Sequence, residues 1–138
     1  MKKFLFIFCL MLFSGISAQE KKGFQLSSHI LNISNGRPAG NVEVQLEKFN
    51  ETIKQWVSLG KKRTDSNGRI PDFLPYPKNS AENYGKYKLT FFTEDYFKQE
   101  KIESFYPFIE VVFKIQDGEH YHVPITLSPF GYSTYRGS

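Results

Sequence analysis

Residues 42–47 have the sequence VEVQLE, in which an apolar side chain alternates with a polar one at every step. A β-strand points successive side chains to opposite faces, so this period of two is typical of a strand with one face buried. The same alternation returns in residues 87–91, YKLTF. These two stretches predict a protein built mainly from half-buried strands.

Turn-forming residues separate these stretches from further candidate strands. Residues 34–41, SNGRPAGN, combine Gly, Pro and Asn, each of which favours a turn. The pair Asp117-Gly118 favours a tight hairpin between a strand at 108–115 and a partner strand at 120–127. Further segments are predicted as strands at 24–33, from 56 onward and at 132–136, and as a short helix at 94–100.

Prolines mark two exceptions to this strand pattern. Pro71, Pro75 and Pro77 predict an irregular segment. Pro124 lies inside the strand at 120–127, and because proline has no N–H to donate, that strand is either bulged or lies opposite a gap in the pairing. Seven or eight short strands with turns between them predict an all-β fold, a two-sheet antiparallel sandwich of Ig-like type with one short helix.

The first 18 residues contain the three parts of a secretory signal peptide in order. Met1-Lys2-Lys3 is positively charged, residues 4–13 are apolar, and residues 14–18 end on small side chains at Ala18. The apolar run is shorter than the roughly 20 residues that a membrane-spanning helix needs. We therefore expect a signal peptide at 1–18, a single domain at 19–138 without membrane association, and secretion, with the bacterial periplasm as the preferred destination.

The composition excludes several classes of function. Cys9 is the only cysteine, so removal of the signal peptide would leave no thiol for a disulfide, a metal site or a nucleophile. The net charge of the full chain is only +4, and the absence of a clustered basic patch argues against nucleic-acid binding. The sequence contains no Gly-x-Ser-x-Gly motif, no phosphate-binding glycine loop and no Cys-x-x-Cys motif.

Histidines are the residues best suited to chemistry. His120 and His122 are two residues apart, which places them on one face of a strand, and His29 belongs to another strand. Arg69 closes a glycine-containing turn. Taken separately, each is more often a surface or structural residue than a catalyst. Three imidazoles are also compatible with a zinc site that keeps an open water position, although no acidic residue has a matching spacing.

The end of the chain resembles a known family. Residues 120–138, HYHVPITLSPFGYSTYRGS, are similar to the C-terminal signature of the 5-hydroxyisourate hydrolases, the transthyretin-like enzymes of purine catabolism. The last four residues, YRGS, resemble the part that separates these enzymes from the hormone carrier transthyretin. Residues 28–32 (SHILN), 36–39 (GRPA) and 64–69 (TDSNGR) resemble further motifs of the same family.

This resemblance implies a transthyretin-like sandwich that forms a homotetramer, in which two edge-to-edge dimers pack around a central channel. It implies an active site without metal or cofactor, formed by His29, Arg69, His122 and Ser138. By the same resemblance, the substrate is bound by Arg69, Tyr135 and Ser138. His120 belongs to the motif, and we expect it to support the site rather than to act on the substrate.

The reaction implied by the resemblance is the opening of a ring amide of a small-molecule substrate, 5-hydroxyisourate, to 2-oxo-4-hydroxy-4-carboxy-5-ureidoimidazoline. Histidine suits the proton transfers because its ordinary pKa is about 6.5. We expect His122, oriented by His29, to activate water, and the reverse assignment stays open. Arg69 offers a planar fork of donors, and Ser138 offers a hydroxyl and a terminal carboxylate. The alternative is a non-catalytic, transthyretin-like small-ligand binding protein, since fold alone does not determine function.

Overall fold

The structure, a computed structural model, describes residues 23–138. The predicted signal peptide, residues 1–18, lies outside the described residues. The described part contains strands β1 Phe24–Asn32, β2 Arg37–Pro38, β3 Glu43–Asn50, β4 Gln55–Arg63, β5 Arg69–Pro75, β6 Gly85–Phe91, β7 Ile109–Ile115, β8 Tyr121–Ser128 and β9 Gly131–Thr134, a 3-10 helix Ser80–Asn83 and the helix α1 Thr93–Gln99. No helix between residues 23 and 138 combines the length and the apolar character needed to cross a membrane.

The strands form two sheets that enclose the core. In the first sheet, β5 and β2 pair with one edge of β1, β8 pairs with its other edge, and β9 pairs with β8. The second sheet has the order β4-β3-β6-β7. Every strand pair is antiparallel except β1 with β8, which is parallel. The predicted all-β, Ig-like sandwich with one short α-helix is confirmed, with one parallel pair that the sequence did not predict.

The core lies between the inner faces of the two sheets. β3 buries Val44 and Leu46, as the alternation predicts, and β1 contributes Leu26 and Ile30 from the opposite sheet. Helix α1 adds Phe97, which is 1% exposed. Complete burial of one such side chain contributes about 1.5–3 kcal/mol to stability. Because β1 commits one face to this core, its other face is available on the outside of the sandwich.

The predicted hairpin at Asp117-Gly118 is wrong. β7 pairs with β6 in the second sheet, whereas β8 pairs with β1 and β9 in the first. The turn crosses between the sheets and is held by the buried side chain of Gln25, whose Nε2 donates to the carbonyl oxygens of Asp117 and Glu119 at 3.0 and 3.3 Å. A turn sequence specifies a local reversal, but it does not specify the strand with which the next segment pairs.

The segment after the polar turn is also more regular than predicted. β5 spans Arg69–Pro75 and includes Pro71, although the prolines predict an irregular segment there. β5 pairs only with β1 and is therefore an edge strand. Proline is tolerated in an edge strand because one side of the backbone needs no partner in the ladder.

Of the two alternatives for Pro124, a bulge or a pairing gap, the structure shows the gap, on the side of β8 that faces β9, whereas on the other side Pro124 stays in register with His29 of β1. The ladder between β8 and β9 ends at Ile125, which pairs with Thr134. The next bridge along the same register joins His122 to Gly137. Pro124 lies in the interval between them, where it has no N–H to donate, and its carbonyl oxygen accepts a hydrogen bond from Oγ1 of Thr134 at 2.9 Å.

Candidate active site

The outer face of the first sheet carries His29, which lies on β1. β1 turns Leu26, Ser28 and Ile30 into the core, where each is at most 1% exposed. Because side chains alternate along a strand, Ser27 and His29 lie on the opposite face, and both are half-buried. His29 is thus held on a strand whose other face is anchored in the core.

Arg69 lies beside His29 because of how β5 begins. The two residues are direct partners in the β1–β5 pairing. The preceding turn is organised by Asp65, whose Oδ1 accepts hydrogen bonds from the backbone N–H groups of Asn67 and Arg69 at 2.8 and 2.9 Å. Gly68 has a φ of +69°, and a Cβ there would lie 2.5 Å from a carbonyl oxygen of β1. Glycine is therefore required at the position that directs the chain into β5.

His122 reaches the same region from the other edge of β1. The parallel register pairs it with Ser27. Oγ of Ser27 lies 2.9 Å from Nδ1 of His122 and 2.9 Å from Nε2 of His120. Both imidazoles therefore lie on one side of the sheet, which confirms the prediction made from their two-residue spacing.

The tail of the chain packs against His122 from the opposite side. The backbone N–H of Gly137 donates to the carbonyl oxygen of His122 at 2.9 Å. The approach is so close that a Cβ on Gly137 would overlap Cδ2 of the His122 ring. Ser138, the next residue, is exposed beside this contact. Tyr135, by contrast, is 60% exposed and borders a cleft of about 290 Å³ between β7 and the tail, whose lining contains no histidine.

Burial and the neighbouring cation favour the neutral form of both imidazoles. Burial lowers the pKa of His29 below its ordinary 6.5, and the charge of Arg69 lowers it further, against an opposite effect of the Asn67 backbone. Burial likewise lowers the pKa of His122, followed by the charges of Arg69, His29 and His120. A cation beside an imidazole disfavours the addition of a second positive charge.

This arrangement suits acid–base chemistry on a polar substrate. A neutral imidazole accepts a proton, and the permanently charged guanidinium of Arg69 stabilises negative charge on an oxygen atom. Within residues 23–138, no group of three or more histidine, cysteine or acidic side chains is arranged to hold a metal ion. Nε2 of His120 and Nδ1 of His122 instead share the hydroxyl of Ser27.

The sequence alone does not single out Ser27 and Asp65. Ser27 precedes His29 by two residues, a spacing that places both on one face of a strand and that offers a usable signal. The role of Asp65 depends on the geometry of its turn. Asn32, which also belongs to the quoted histidine motif, points into the core and donates from Nδ2 to the hydroxyl of Tyr96 at 3.0 Å, so it is not a partner of His29.

Comparison with known proteins assigns the family. The model of the HIUase/Transthyretin family matches residues 26–137. The chain belongs to this family. A probable 5-hydroxyisourate hydrolase of Caenorhabditis elegans is 48% identical over 118 residues, which cover 82% of this chain and 81% of that protein.

Solved members of the family share the sandwich. The 5-hydroxyisourate hydrolase of Klebsiella pneumoniae aligns with a TM-score of 0.68 and 38% identity over 82% of this chain and 98% of its own. A sea bream transthyretin, solved in complex with thyroxine, aligns with a TM-score of 0.71 and 27% identity over 82% of this chain and 94% of its own. The two scores are nearly equal, so the fold alone does not separate a hydrolase from a thyroxine-binding protein.

Replacement of Arg69 by Gln tests the electrostatics of this site. We expect the pKa values of His29 and His122 to rise toward 6.5, because protonation would no longer bring a second cation next to the first. NMR titration of the carbon-bound imidazole protons measures both values. Lys98→Gln, which removes an exposed charge from α1, should leave them unchanged. Unaltered titration curves in the Arg69 variant would show that the guanidinium does not act on these rings.

Proposed function

We propose that the protein hydrolyses 5-hydroxyisourate to 2-oxo-4-hydroxy-4-carboxy-5-ureidoimidazoline by opening a ring amide. The main support is that His29, His122 and Arg69 lie together on one face of the first sheet. The pKa values of the two histidines are lowered, which favours neutral imidazoles beside the guanidinium. The substrate is supported by the relatives, since the similar proteins of C. elegans and K. pneumoniae are named 5-hydroxyisourate hydrolases. The alternative, a transthyretin-like carrier, is less well supported, because the sea bream transthyretin is 27% identical to this chain and the K. pneumoniae hydrolase is 38% identical.

In this proposal His122 is the general base. Its ring takes a proton from a water molecule while the water oxygen bonds to the amide carbon of the substrate. When the ring C–N bond breaks, the same imidazolium returns the proton to the departing nitrogen, so the histidine ends the cycle neutral. The lowered pKa of His122 supports this role, because the base must be free of a proton before water arrives.

Arg69 is proposed to stabilise the charge that develops on the carbonyl oxygen. Its guanidinium carries a permanent charge and a rigid fork of donors, which suits substrate carbonyls and an oxyanion in particular. His29, the cross-strand partner of Arg69, is proposed to orient the substrate and His122. Ser138 follows the Gly137–His122 contact and is proposed to bind substrate with its hydroxyl. Tyr135 borders the separate cleft beside β7 and has no role in this proposal.

Single substitutions should separate these roles. We expect His122→Ala to lower kcat/KM for 5-hydroxyisourate by about 10²–10⁴-fold, the usual contribution of a general base. We expect Arg69→Ala to lower it by about 10²–10³-fold, the usual cost of one oxyanion donor. A chain ending at Gly137 should also lose most of its activity. The measurement generates 5-hydroxyisourate with urate oxidase and follows its decay spectrophotometrically above the spontaneous rate.

Arg37→Ala is the matched control for these variants, since it removes an exposed guanidinium from β2 in the same sheet. It should retain the wild-type rate. Wild-type activity in a folded His122 or Arg69 variant would remove that residue from the site. No acceleration by the wild-type protein, together with tight binding of a small apolar ligand, would favour the carrier function.

A homotetramer is proposed because the sandwich presents two unpaired strand edges on one side. β7 is the edge of the second sheet and β9 is the edge of the first, and residues near both border the same cleft. Large apolar side chains are exposed along this region, including Val112 at 59% and Phe130 at 71%. Unpaired edges with exposed apolar residues favour pairing with a second copy. Two such dimers would then meet through the outer faces that carry His29 and His122.

Light scattering coupled to size-exclusion chromatography tests this assembly. We expect the mass of four chains for the wild-type protein. Val112→Lys on β7 should shift the distribution to smaller species, because a charge would have to be buried at the paired edge. Ile53→Lys places the same charge on a comparably exposed residue of the β3–β4 turn and should leave the mass unchanged. A monomeric wild-type protein at assay concentration would contradict the tetramer.

We further propose export to the bacterial periplasm, on the basis of the signal-peptide pattern in residues 1–18. The full chain expressed in a bacterial host should be recovered from the periplasmic fraction with Gln19 as its first residue. N-terminal sequencing of the recovered protein decides this, and a cytoplasmic protein that retains residues 1–18 would contradict it.

A further inference from the structure

Ser27 contacts two imidazoles at once. Its Oγ lies 2.9 Å from Nε2 of His120 and 2.9 Å from Nδ1 of His122. A hydroxyl has a single hydrogen to donate, so it cannot donate to both rings. The direction of each hydrogen bond therefore depends on what surrounds the two rings.

The hydrogen bond at Nδ1 of His120 determines which ring accepts the hydrogen of Ser27. Its Nδ1 lies 3.0 Å from the backbone carbonyl oxygen of Phe24. A carbonyl oxygen only accepts hydrogen bonds, so Nδ1 of His120 must carry a hydrogen. A neutral imidazole has one N–H, and therefore Nε2 of neutral His120 is an acceptor. The single hydrogen of Ser27 is then donated to His120, which leaves only the lone pairs of Oγ for His122.

We propose that Ser27 is a positioning residue that, together with His120, fixes the tautomer of His122. Because Oγ of Ser27 only accepts from His122, the hydrogen of neutral His122 resides on Nδ1. Nε2 of His122 keeps its lone pair and is the atom that takes a proton from water. This catalytic consequence rests on the proposed hydrolase function, whereas the tautomer itself does not.

The location of Ser27 favours a persistent contact. The parallel ladder makes Ser27 the direct partner of His122, so the hydroxyl is placed by backbone pairing on both strands. Ser27 is half-buried, and its neighbour Ser28 is anchored inward by a hydrogen bond from its hydroxyl to the carbonyl oxygen of Val123 at 2.8 Å. Two adjacent serines of β1 thus hold successive residues of β8 from opposite faces of the sheet.

The hydrogen bond between Ser27 and His122 shifts the tautomer equilibrium of His122 by an amount that can be estimated. One neutral hydrogen bond biases an equilibrium by about tenfold, so loss of the Ser27 hydroxyl should leave a mixture of His122 tautomers rather than invert it. A base in the wrong tautomer is unproductive: in a serine protease triad, the wrong tautomer lowers kcat by about 10⁴-fold. A tenfold preference that falls to an even mixture leaves about half of the molecules in the productive tautomer, so we expect Ser27→Ala to lower kcat by about twofold.

The test combines imidazole ¹⁵N NMR with kinetics on four proteins. At a pH where His122 is neutral, wild-type protein and Ser27→Thr should show the hydrogen on Nδ1, and Ser27→Ala should show mixed tautomers. kcat for 5-hydroxyisourate should fall about twofold in Ser27→Ala and recover in Ser27→Thr. Ser58→Ala removes an exposed strand hydroxyl far from the imidazoles and should change neither readout.

His120→Ala gives an independent measurement if Ser27→Ala does not fold. Ser27 would then be free to donate to Nδ1 of His122, so mixed tautomers are expected although the hydroxyl is present. A wild-type His122 with its hydrogen on Nε2 would overturn the inference even in an active enzyme. A folded Ser27→Ala protein with unchanged tautomer and kcat would overturn it as well. An inactive wild-type protein with the hydrogen on Nδ1 would instead overturn only the proposed function.

Discussion

Strand β1 is hydrogen-bonded along both of its edges, and the candidate site depends on the register of those two pairings. On one edge, the antiparallel register with β5 places Arg69 opposite His29. On the other, the parallel register with β8 places His122 opposite Ser27. A shift of one residue in either pairing would turn the partner to the other face of the sheet. The inner face of β1 resists such a shift, because Leu26, Ser28 and Ile30 are buried in the core.

On this face of the sheet, Arg69 carries a permanent charge, whereas His29 and His122 can each be neutral or charged. Arg69 is always charged, and together with burial it holds the pKa values of His29 and His122 below the ordinary histidine value. A carboxylate beside His122 would have the opposite effect and favour the imidazolium. Nδ1 of His122 instead meets the neutral hydroxyl of Ser27, which orients the ring without attracting a proton to it. The candidate site thus combines a permanent cation with an imidazole whose pKa is lowered.

Particular elements show how far the sequence predicts this fold. The alternating stretch at 42–47 lies in β3 and the helical segment at 94–100 overlaps α1, because both depend on local periodicity and propensity. The hairpin predicted at Asp117-Gly118 does not form, because the choice of sheet for β8 depends on β1, far away in the chain. For Pro124 the sequence predicts either a bulge or a pairing gap, since a missing N–H is a property of the residue itself, and the structure has the gap.

The sequence by itself determined which side chains share a strand face, where turns occur and, through the motifs around the histidines and the tail, the family to which the chain belongs. Only the tertiary structure decided that Ser27 meets His122, that Asp65 fixes the start of β5 and that Gly137 closes on the imidazole ring. Asp65 acts within its own turn, whereas Ser27 and His122 belong to different strands and are 95 positions apart. The geometry around His122 follows from strand register, which is set by burial of the whole core and not by any local stretch of sequence.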